Sequence, residues 1–320
     1  MKKPICIPDP DFMAISDEAF DRLYGAVVVV SISGGKDSTA LSLHLKEIGI
    51  EHARVFADTG WEHEWTYEHL DYLEKVLGPI DRVQSERGGM VETIRHKTMF
   101  PSRIARWCTQ ELKVEPIKKY ILGIEEDTIN VVGIRGGESS ARAKMSEWEW
   151  SDGFDCWVWR PLIDWSVEDV IAIHNRHNVK PNRLYLEYNV DRVGCYPCIH
   201  SRKTELKTVA ATSPERIDLI EQLEEEIGAA KLKVYEARGE NYDTPGNWRP
   251  TFFNKSIPGA PADQNVPIRE AVDWANTTRG GRQRELFHDY SGGCMRWGLC
   301  ETSSEPPPGS EDDTSGEDET

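Results

Sequence analysis

Short, β-branched apolar segments alternate along this chain with longer segments whose apolar residues recur at helical spacing. The apolar segments predict strands at residues 26–32, 53–57, 80–84 and 128–134. The helical pattern after the first two strands ends each time at a glycine, Gly49 and then Gly78, as helices commonly do. This alternation predicts an α/β fold built on a doubly wound, mostly parallel sheet.

Helix signals continue in the second half of the chain. Residues 114–122 have helical periodicity, and Ser166 and Asp169 form a capping box for the next helix. Pro214 opens a longer helix whose apolar residues stay in register. Beyond about residue 240 the chain is rich in proline and glycine, so we expect a smaller C-terminal region that is helical and irregular and contains cysteines.

The chain is acidic, with a formal net charge of −17. Residues 301–320 contain eight acidic residues and no basic one, a composition typical of a disordered tail. This charge argues against a general nucleic-acid binder, although it leaves room for a local basic patch. We predict an N-terminal extension over 1–22, a main α/β domain over 23–210, a helical C-terminal region over 211–300 and the disordered acidic tail over 301–320.

No apolar run approaches membrane-spanning length, and the N-terminus lacks a charged-then-apolar leader. We therefore expect a soluble, cytoplasmic protein with no membrane partner. Seven cysteines in such a chain indicate metal or redox chemistry before structural disulfides.

A candidate phosphate site follows the first strand, where residues 33–38 have the sequence SGGKDS. We call this segment the phosphate loop. It brings backbone N–H groups, a helix N-terminus, two hydroxyls and Lys36 to one point, which suits a phosphate group. It is not a Walker A loop, because Val30 occupies the first glycine position and Asp37 follows the lysine. Asp37 has two interpretations: it caps the helix, or it helps to hold a Mg²⁺ ion that bridges phosphates.

Polar residues also follow two other predicted strands. Residues 58–60 (DTG) follow the second strand, and residues 133–142 carry three glycines as well as Arg135 and Arg142. Since ligands of open α/β sheets bind at the carboxyl ends of the strands, these segments are expected to border one cleft. Arginine suits phosphate or sulfate, although either segment also has the composition of an ordinary solvated turn.

The cysteines offer a second kind of chemistry. Cys195 and Cys198 form a C-x₂-C pair that a turn can aim at one metal, and Cys108 is a further candidate. A second pair lies near the C-terminus, Cys294 and Cys300. Thiolate ligands suit an iron–sulfur cluster or zinc, and free redox thiols are the remaining alternative. We interpret Cys6 and Cys156 as unpaired structural residues.

Residues 33–38 resemble the pyrophosphate loop (PP-loop) of the ATP pyrophosphatase superfamily. Further blocks occur in the order found in its phosphoadenylyl-sulfate (PAPS) reductase-like branch, at residues 106–116, 133–142, 160–170 and 192–198. The resemblance implies that the loop and the DTG segment bind an adenine nucleotide and that the arginines of 133–142 lie near its phosphates. The residues predicted to bind the nucleotide are Ser31, Ser33, Gly34, Gly35, Lys36, Asp37, Ser38, Asp58, Thr59, Gly60, Gly133 and Arg135, and those predicted to act on it are Lys36, Asp37, Arg135 and Arg142.

The same resemblance implies a [4Fe–4S] cluster, which adenylyl-sulfate reductases of this branch hold with cysteines of two matched blocks. Those blocks contain Cys108, Cys195 and Cys198. The family's first block carries adjacent paired cysteines and this chain has one there, so a fourth ligand is expected from Cys294 or Cys300. Zinc in place of the cluster stays an alternative.

Two enzymatic hypotheses follow, both in sulfur metabolism or sulfur modification. In the first, ATP with Mg²⁺ is cleaved to AMP and pyrophosphate while an acceptor is activated; the intact loop favours it. In the second, a thiolate attacks PAPS or adenylyl sulfate and sulfite is released; the arginine and cysteine blocks favour it. A third hypothesis is a non-catalytic accessory subunit. The expected partners are a sulfur donor or thiol reductant and a second copy of the chain, and no nucleic-acid or protein partner is readable from the sequence.

Overall fold

Residues 17–244, 247–253, 265–277 and residue 297 are described by the computed structural model. The β-branched segments form strands as predicted, and an unpredicted hairpin follows them. The strands are β1 Val27–Ser31, β2 Ala53–Asp58, β3 Asp81–Gln84, β4 Thr128–Val131, β5 Trp148–Ser151 and β6 Cys156–Trp159.

These strands form one sheet in the order β3-β2-β1-β4-β6-β5. All neighbouring pairs are parallel except β5 and β6, which are antiparallel. The predicted α/β fold with a mostly parallel sheet is therefore confirmed. The strand predicted at 128–134 ends earlier, at Val131, because Ile134 N–H donates to the Val132 carbonyl in a tight turn.

Helices cover the sheet, and three long or medium helices follow residue 202 within the described residues. The predicted helix at 114–122 begins at Glu115 as an α-helix and is preceded by a π-helix, Gln110–Val114. The α-helices are α1 Asp17–Leu23, α2 Lys36–Glu47, α3 Glu64–Leu77, α4 Met90–Lys97, α5 Trp107–Thr109, α6 Glu115–Leu122, α7 Val167–Arg176, α8 Arg183–Glu187, α9 Lys203–Thr212, α10 Pro214–Glu236 and α11 Ile268–Asn276.

The predicted helix signals match the observed helix ends. Gly49 and Gly78 follow α2 and α3 with φ angles of 75° and 102°, which favour glycine. The capping box before α7 is present: Ser166 Oγ accepts the Asp169 N–H at 3.1 Å, and Asp169 Oδ2 accepts the Ser166 N–H at 2.8 Å. Local sequence therefore sets where these helices begin and end.

Two large apolar cores support these elements, and a smaller one contains Val29, Val55 and Ile121. The first lies between the sheet and α2, α3 and α7, and includes Val30, Leu41 and Leu73. The second joins α4, α9, α10 and α11 around Trp61 and Phe252. In the described part of the chain, none of the helices has the length and apolar character needed to cross a membrane. The domain boundaries stay a prediction, and residues 1–16 and 301–320 lie outside the described residues.

A buried carboxyl group organises the second core. Glu224 on α10 is 3% exposed, and its two oxygens accept the N–H groups of Phe252 and Ile268, each at 2.9 Å. One side chain thus ties two separate C-terminal segments to α10. Burial raises the pKa of Glu224 to about 7, although the two N–H donors act in the opposite direction.

Glu224 is expected to make stability depend on pH. Its folded pKa lies above its ordinary value of 4.5, so its contribution is fully present below about pH 4.5 and is lost as the pH rises through about 7. The free energy of unfolding of the wild type should therefore fall between pH 5 and 8, relative to the non-titrating Glu224→Gln variant, by about 1–3 kcal/mol. Urea unfolding at several pH values measures this difference.

Glu225→Gln is the matched control, because Glu225 is exposed on the same helix. It should stay within about 0.5 kcal/mol of the wild type at each pH. A constant difference between wild type and Glu224→Gln across this range would show that Glu224 does not titrate there.

Candidate functional site

The phosphate loop lies between β1 and α2, at the carboxyl edge of the sheet. Gly34 has a φ angle of 72°, and a Cβ atom there would lie 2.9 Å from Thr66 Cγ2, so glycine is required. Gly35 is the N-cap of α2 and has no side chain with which to cap this helix. The positive end of α2 therefore faces the loop without a protein carboxylate on its cap, which suits an anionic ligand.

Asp37 is the centre of an ion triad, and it does not cap the helix. Its Oδ2 lies 2.8 Å from Lys36 Nζ, and its Oδ1 lies 2.5 Å from Arg135 Nε. Burial opposes ionisation of Asp37, but the adjacent Lys36 and Arg135 charges outweigh it and hold the pKa of this carboxyl below its ordinary value of 3.8. Asp37 is therefore a carboxylate that orients two cations beside the loop.

The loop borders a cavity of about 180 Å³. Its wall also includes the turn after β4, which was predicted to bind the nucleotide. It further includes residues 192 and 193 after α8, which were not predicted to do so. The lining residues are Ser31, Ser33, Gly35, Asp37, Ser38, Gly133, Ile134, Glu138, Arg142, Tyr185, Arg192 and Val193. A larger cavity of about 520 Å³ lies at the other end of β1 and β4 and is lined by none of the predicted site residues.

The turn after β4 packs directly on the phosphate loop. A Cβ atom at Gly133 would lie 2.9 Å from the Asp37 carbonyl oxygen and 3.3 Å from Ser38 Cα. Only glycine allows this backbone approach. The same turn holds Arg142, which forms an ion pair with Glu138 at the cavity wall.

Three polar side chains form hydrogen bonds with the backbone of the phosphate loop. Tyr185 Oη accepts the Lys36 N–H at 3.1 Å, His174 Nε2 lies 2.9 Å from the Lys36 carbonyl oxygen, and Asn182 Nδ2 donates to the Gly34 carbonyl at 3.4 Å. Trp297 packs against the rings of His174 and Tyr185. Sequence reasoning missed these residues, because no local pattern links them to a loop more than a hundred positions earlier.

The DTG segment is near the site but does not line the cavity. Asp58 Oδ1 accepts the Gly60 N–H and the Tyr67 hydroxyl, each at 2.8 Å. Thr59 Oγ1 donates to Glu62 at 2.8 Å. These hydrogen bonds stabilise the turn at the end of β2. Nucleotide binding by Asp58, Thr59 and Gly60 stays a prediction.

The C-x₂-C turn packs against this DTG turn. Cys195 pairs with Glu62 in a β-bridge, Tyr196 N–H donates to the Trp61 carbonyl at 2.8 Å, and Trp61 Nε1 donates to the Pro197 carbonyl at 2.9 Å. These contacts place Cys195 beside the end of β2, with its sulfur 4.0 Å from Thr59 Oγ1.

Three of the predicted cysteine ligands share one neighbourhood. Cys108, Cys195 and Cys198 are free thiols; the sulfur charges of Cys108 and Cys198 act on Cys195, and that of Cys198 acts on Cys108. Burial raises the pKa of Cys195 to about 11, while the nearby Lys113 ammonium acts in the opposite direction. The Cys195 sulfur in turn raises the pKa of Lys113. Lys113 is therefore a cation placed to stabilise thiolates.

Within the described ranges, no group of three or more His, Cys, Asp or Glu side chains is arranged to hold a single metal ion. Cys294, Cys300 and Cys6 lie outside the described residues. Cys156 is buried in β6, as predicted for a structural cysteine, and belongs to the same apolar cluster as Val29 and Val55.

A parallel sheet with a phosphate loop at its carboxyl edge defines a PP-loop type of α/β protein. The family model of the phosphoadenosine phosphosulfate reductase domain matches residues 27–201, and the chain belongs to this family. The predicted family resemblance is thereby confirmed.

Several known proteins are similar to this chain. The chain is 34% identical over 311 residues to an uncharacterised 37.8 kDa protein of Escherichia phage 186, covering 81% of this chain and 91% of that protein. It is 26% identical to adenosine 5'-phosphosulfate reductase 2 of Bacillus subtilis, covering 55% of this chain and 74% of that enzyme. The PAPS reductase of Candida auris in its phosphate complex superposes with a TM-score of 0.43 at 16% identity, covering 53% of this chain and 82% of that one.

The contact between Gly133 and the phosphate loop is testable. Gly133→Ala should destabilise the protein by about 1–3 kcal/mol, because its methyl group would overlap the Asp37 backbone. Gly137→Ala is the control, since a Cβ atom there meets no atom within 4 Å, and it should change stability by less than about 0.5 kcal/mol. Urea unfolding compares the two variants. Equal stabilities would show that the close approach is not required.

Proposed function

We propose that this protein is an enzyme that binds ATP in the cavity beside the phosphate loop and cleaves it to AMP and pyrophosphate, in sulfur metabolism or sulfur modification. The observation that carries the proposal is a cavity at the N-terminus of α2 that is lined by the phosphate loop, by Arg142 and Arg192, and by Asp37, the carboxylate of the ion triad. An intact loop of this kind suits a reaction that expels pyrophosphate, since it surrounds leaving phosphates with positive charge.

The proposed step is a displacement at the α-phosphorus. An acceptor oxygen forms a bond to this phosphorus, the bond to the oxygen that bridges the α and β phosphorus atoms breaks, and pyrophosphate leaves with the bonding electrons. A sulfur or nitrogen nucleophile then attacks the activated carbon of the acceptor, and the carbon–oxygen bond breaks to release AMP. When water is the acceptor, the first displacement gives AMP directly. Lys36 and Arg135 would stabilise the charge on the phosphates, and Arg142 would contact them from the turn after β4. Tyr185, His174 and Asn182 act as positioning residues, because they hold the loop backbone.

Mg²⁺ fits this site through Asp37, which is ionised and lines the cavity. When bound, the ion supplies neutralisation of phosphate charge. Asp37 is engaged by Lys36 and Arg135 in this structure, so it would share its oxygens between these cations and the ion.

An iron–sulfur cluster is the second part of the proposal. Three free cysteines, one on α5 and two in the C-x₂-C turn, offer the thiolate donors that such clusters use, and Lys113 lies near them. Cys108, Cys195 and Cys198 would hold it, and Cys294 or Cys300 is the proposed source of the fourth ligand. When bound, a cluster of this kind supplies electron transfer or local charge. Zinc stays the alternative.

Reduction of a sulfonucleotide is the second candidate function. Family membership and the likeness to an adenosine 5'-phosphosulfate reductase support it. PAPS or adenylyl sulfate would occupy the same cavity, and a thiol reductant would complete the reaction. PAPS and adenylyl sulfate carry a sulfate where ATP carries pyrophosphate. The reductase would therefore release sulfite, whereas ATP cleavage releases pyrophosphate.

The proposal predicts the products and their dependence on Lys36. Anaerobically purified protein should release AMP and pyrophosphate from ATP and Mg²⁺, and Lys36→Ala should lower this rate by roughly 10²–10³-fold through lost charge stabilisation. Lys46→Ala, an exposed position on the same helix, is the control and should keep full activity. Product analysis by chromatography gives the rates.

Two outcomes would contradict ATP cleavage. Sulfite from PAPS or adenylyl sulfate with a thiol reductant, while ATP stays intact, would establish the reductase. Tight nucleotide binding without turnover of any of these nucleotides would support the accessory subunit.

The cluster is tested apart from activity. After anaerobic purification the wild type should contain iron and acid-labile sulfide, and Cys195→Ala and Cys198→Ala should lose both because thiolate ligands are removed. Cys156→Ala should retain them, since Cys156 is buried in the sheet among other residues. Metal analysis that finds zinc without sulfide would overturn the cluster in favour of zinc.

A further inference from the structure

Residues 101–106 form a turn that displays an apolar side chain to solvent. Ile104 is 98% exposed, more than any other large apolar residue in the described part of the chain. Ser102 N–H donates to the Ala105 carbonyl at 3.0 Å, and Ala105 N–H donates to Ser102 Oγ at 2.9 Å. The turn is therefore held by two hydrogen bonds, with Ile104 at its tip.

Positive charge surrounds this tip. Arg103 and Arg106 flank Ile104 and are exposed, and Arg192 is exposed at the rim of the nucleotide cavity. Burial lowers the pKa of His200, and the charges of these arginines lower it further, so the four side chains share one neighbourhood. We call Arg103, Ile104, Arg106, Arg192 and His200 the basic patch.

The arginines of the basic patch lack the paired carboxylates that neutralise other surface arginines of this acidic chain. In the described ranges, carboxylates pair with surface arginines such as Arg82, Arg95 and Arg176, but none pairs with the arginines of the basic patch. With a net charge of −17 for the whole chain, the patch is a local positive field that suits a polyanion.

Its position connects the patch to both parts of the site. Arg192 lines the nucleotide cavity, and His200 N–H lies 3.5 Å from the Cys198 sulfur. Arg106 is the N-cap of the short helix that carries Cys108. A polymer bound to the patch would therefore pass beside the proposed reaction centre.

The chemistry of the patch distinguishes the occupant. Arginine forks suit phosphate, and an apolar side chain between arginines is the device by which proteins enter the minor groove and separate base steps. A lone exposed isoleucine offers too little apolar area for the centre of a protein interface. A mononucleotide in the cavity would not cover Ile104, which does not line it.

We propose that the basic patch docks duplex DNA, with Arg103 and Arg106 on phosphates at either side of the minor groove and Ile104 wedged into it. This inference goes beyond the proposed function and is tested apart from it, because DNA binding is measured without nucleotide turnover.

The test measures binding of a labelled DNA duplex to the full chain by fluorescence anisotropy over a series of salt concentrations. The Arg103→Gln/Arg106→Gln variant should bind roughly tenfold or more weakly at low salt, and its plot of log K against log salt should be shallower by about 2. Ile104→Ala should weaken binding several-fold while the salt slope stays unchanged, since no phosphate contact is lost. Nucleotide binding should stay intact in both variants.

Arg95→Gln/Arg176→Gln is the matched control, because it also removes two positive charges from exposed positions away from the patch. An equal loss of DNA affinity in this control would contradict the proposal that the basic patch is the DNA-binding surface. Absence of duplex binding by the wild type, tighter binding of single-stranded than of duplex DNA, or an unchanged affinity of Ile104→Ala would each overturn the proposal as well. Any of these results leaves ATP cleavage to be judged by its own products.

Discussion

The site depends on the contact between two backbone turns, the phosphate loop after β1 and the turn after β4. Gly133 lets these turns approach to within van der Waals distance, and the Arg135–Asp37 ion pair also joins them. The cavity exists because both turns leave the carboxyl edge of adjacent parallel strands. Any change that separates the turns would move Lys36, Arg135 and Arg142 relative to one another.

A second set of interactions keeps the phosphate loop in one conformation. Its carbonyl and N–H groups bond to His174, Asn182 and Tyr185, which come from α7 and the segment that leads through α8. Because these partners are buried, the bonds operate in a low dielectric and resist exchange with water. The loop is thus organised before a ligand arrives, which is the condition under which fixed dipoles stabilise developing charge most effectively.

The phosphate loop and the cysteines are joined through the end of β2. Thr59 of the DTG turn donates a hydrogen bond to Glu62, and Glu62 also pairs with Cys195 in a β-bridge. Trp61 holds the C-x₂-C turn through its indole N–H and packs in the second core with Phe252. The second core therefore supports the thiols, while the first core supports the sheet edge that carries the phosphate loop.

Local sequence determined the strands, the helix ends at Gly49 and Gly78, the Ser166 capping box and the phosphate loop, because each depends on residues within a few positions of one another. It left Asp37 between helix cap and ion ligand, and only the tertiary structure showed its bonds to Lys36 and Arg135. The β5–β6 hairpin, the π-helix and the supports from His174, Asn182 and Tyr185 also required the fold. Their partners lie far apart along the chain, so no spacing pattern encodes them. Ion pairs and backbone contacts of this kind arise from packing, whereas strands, turns and caps arise from local propensity.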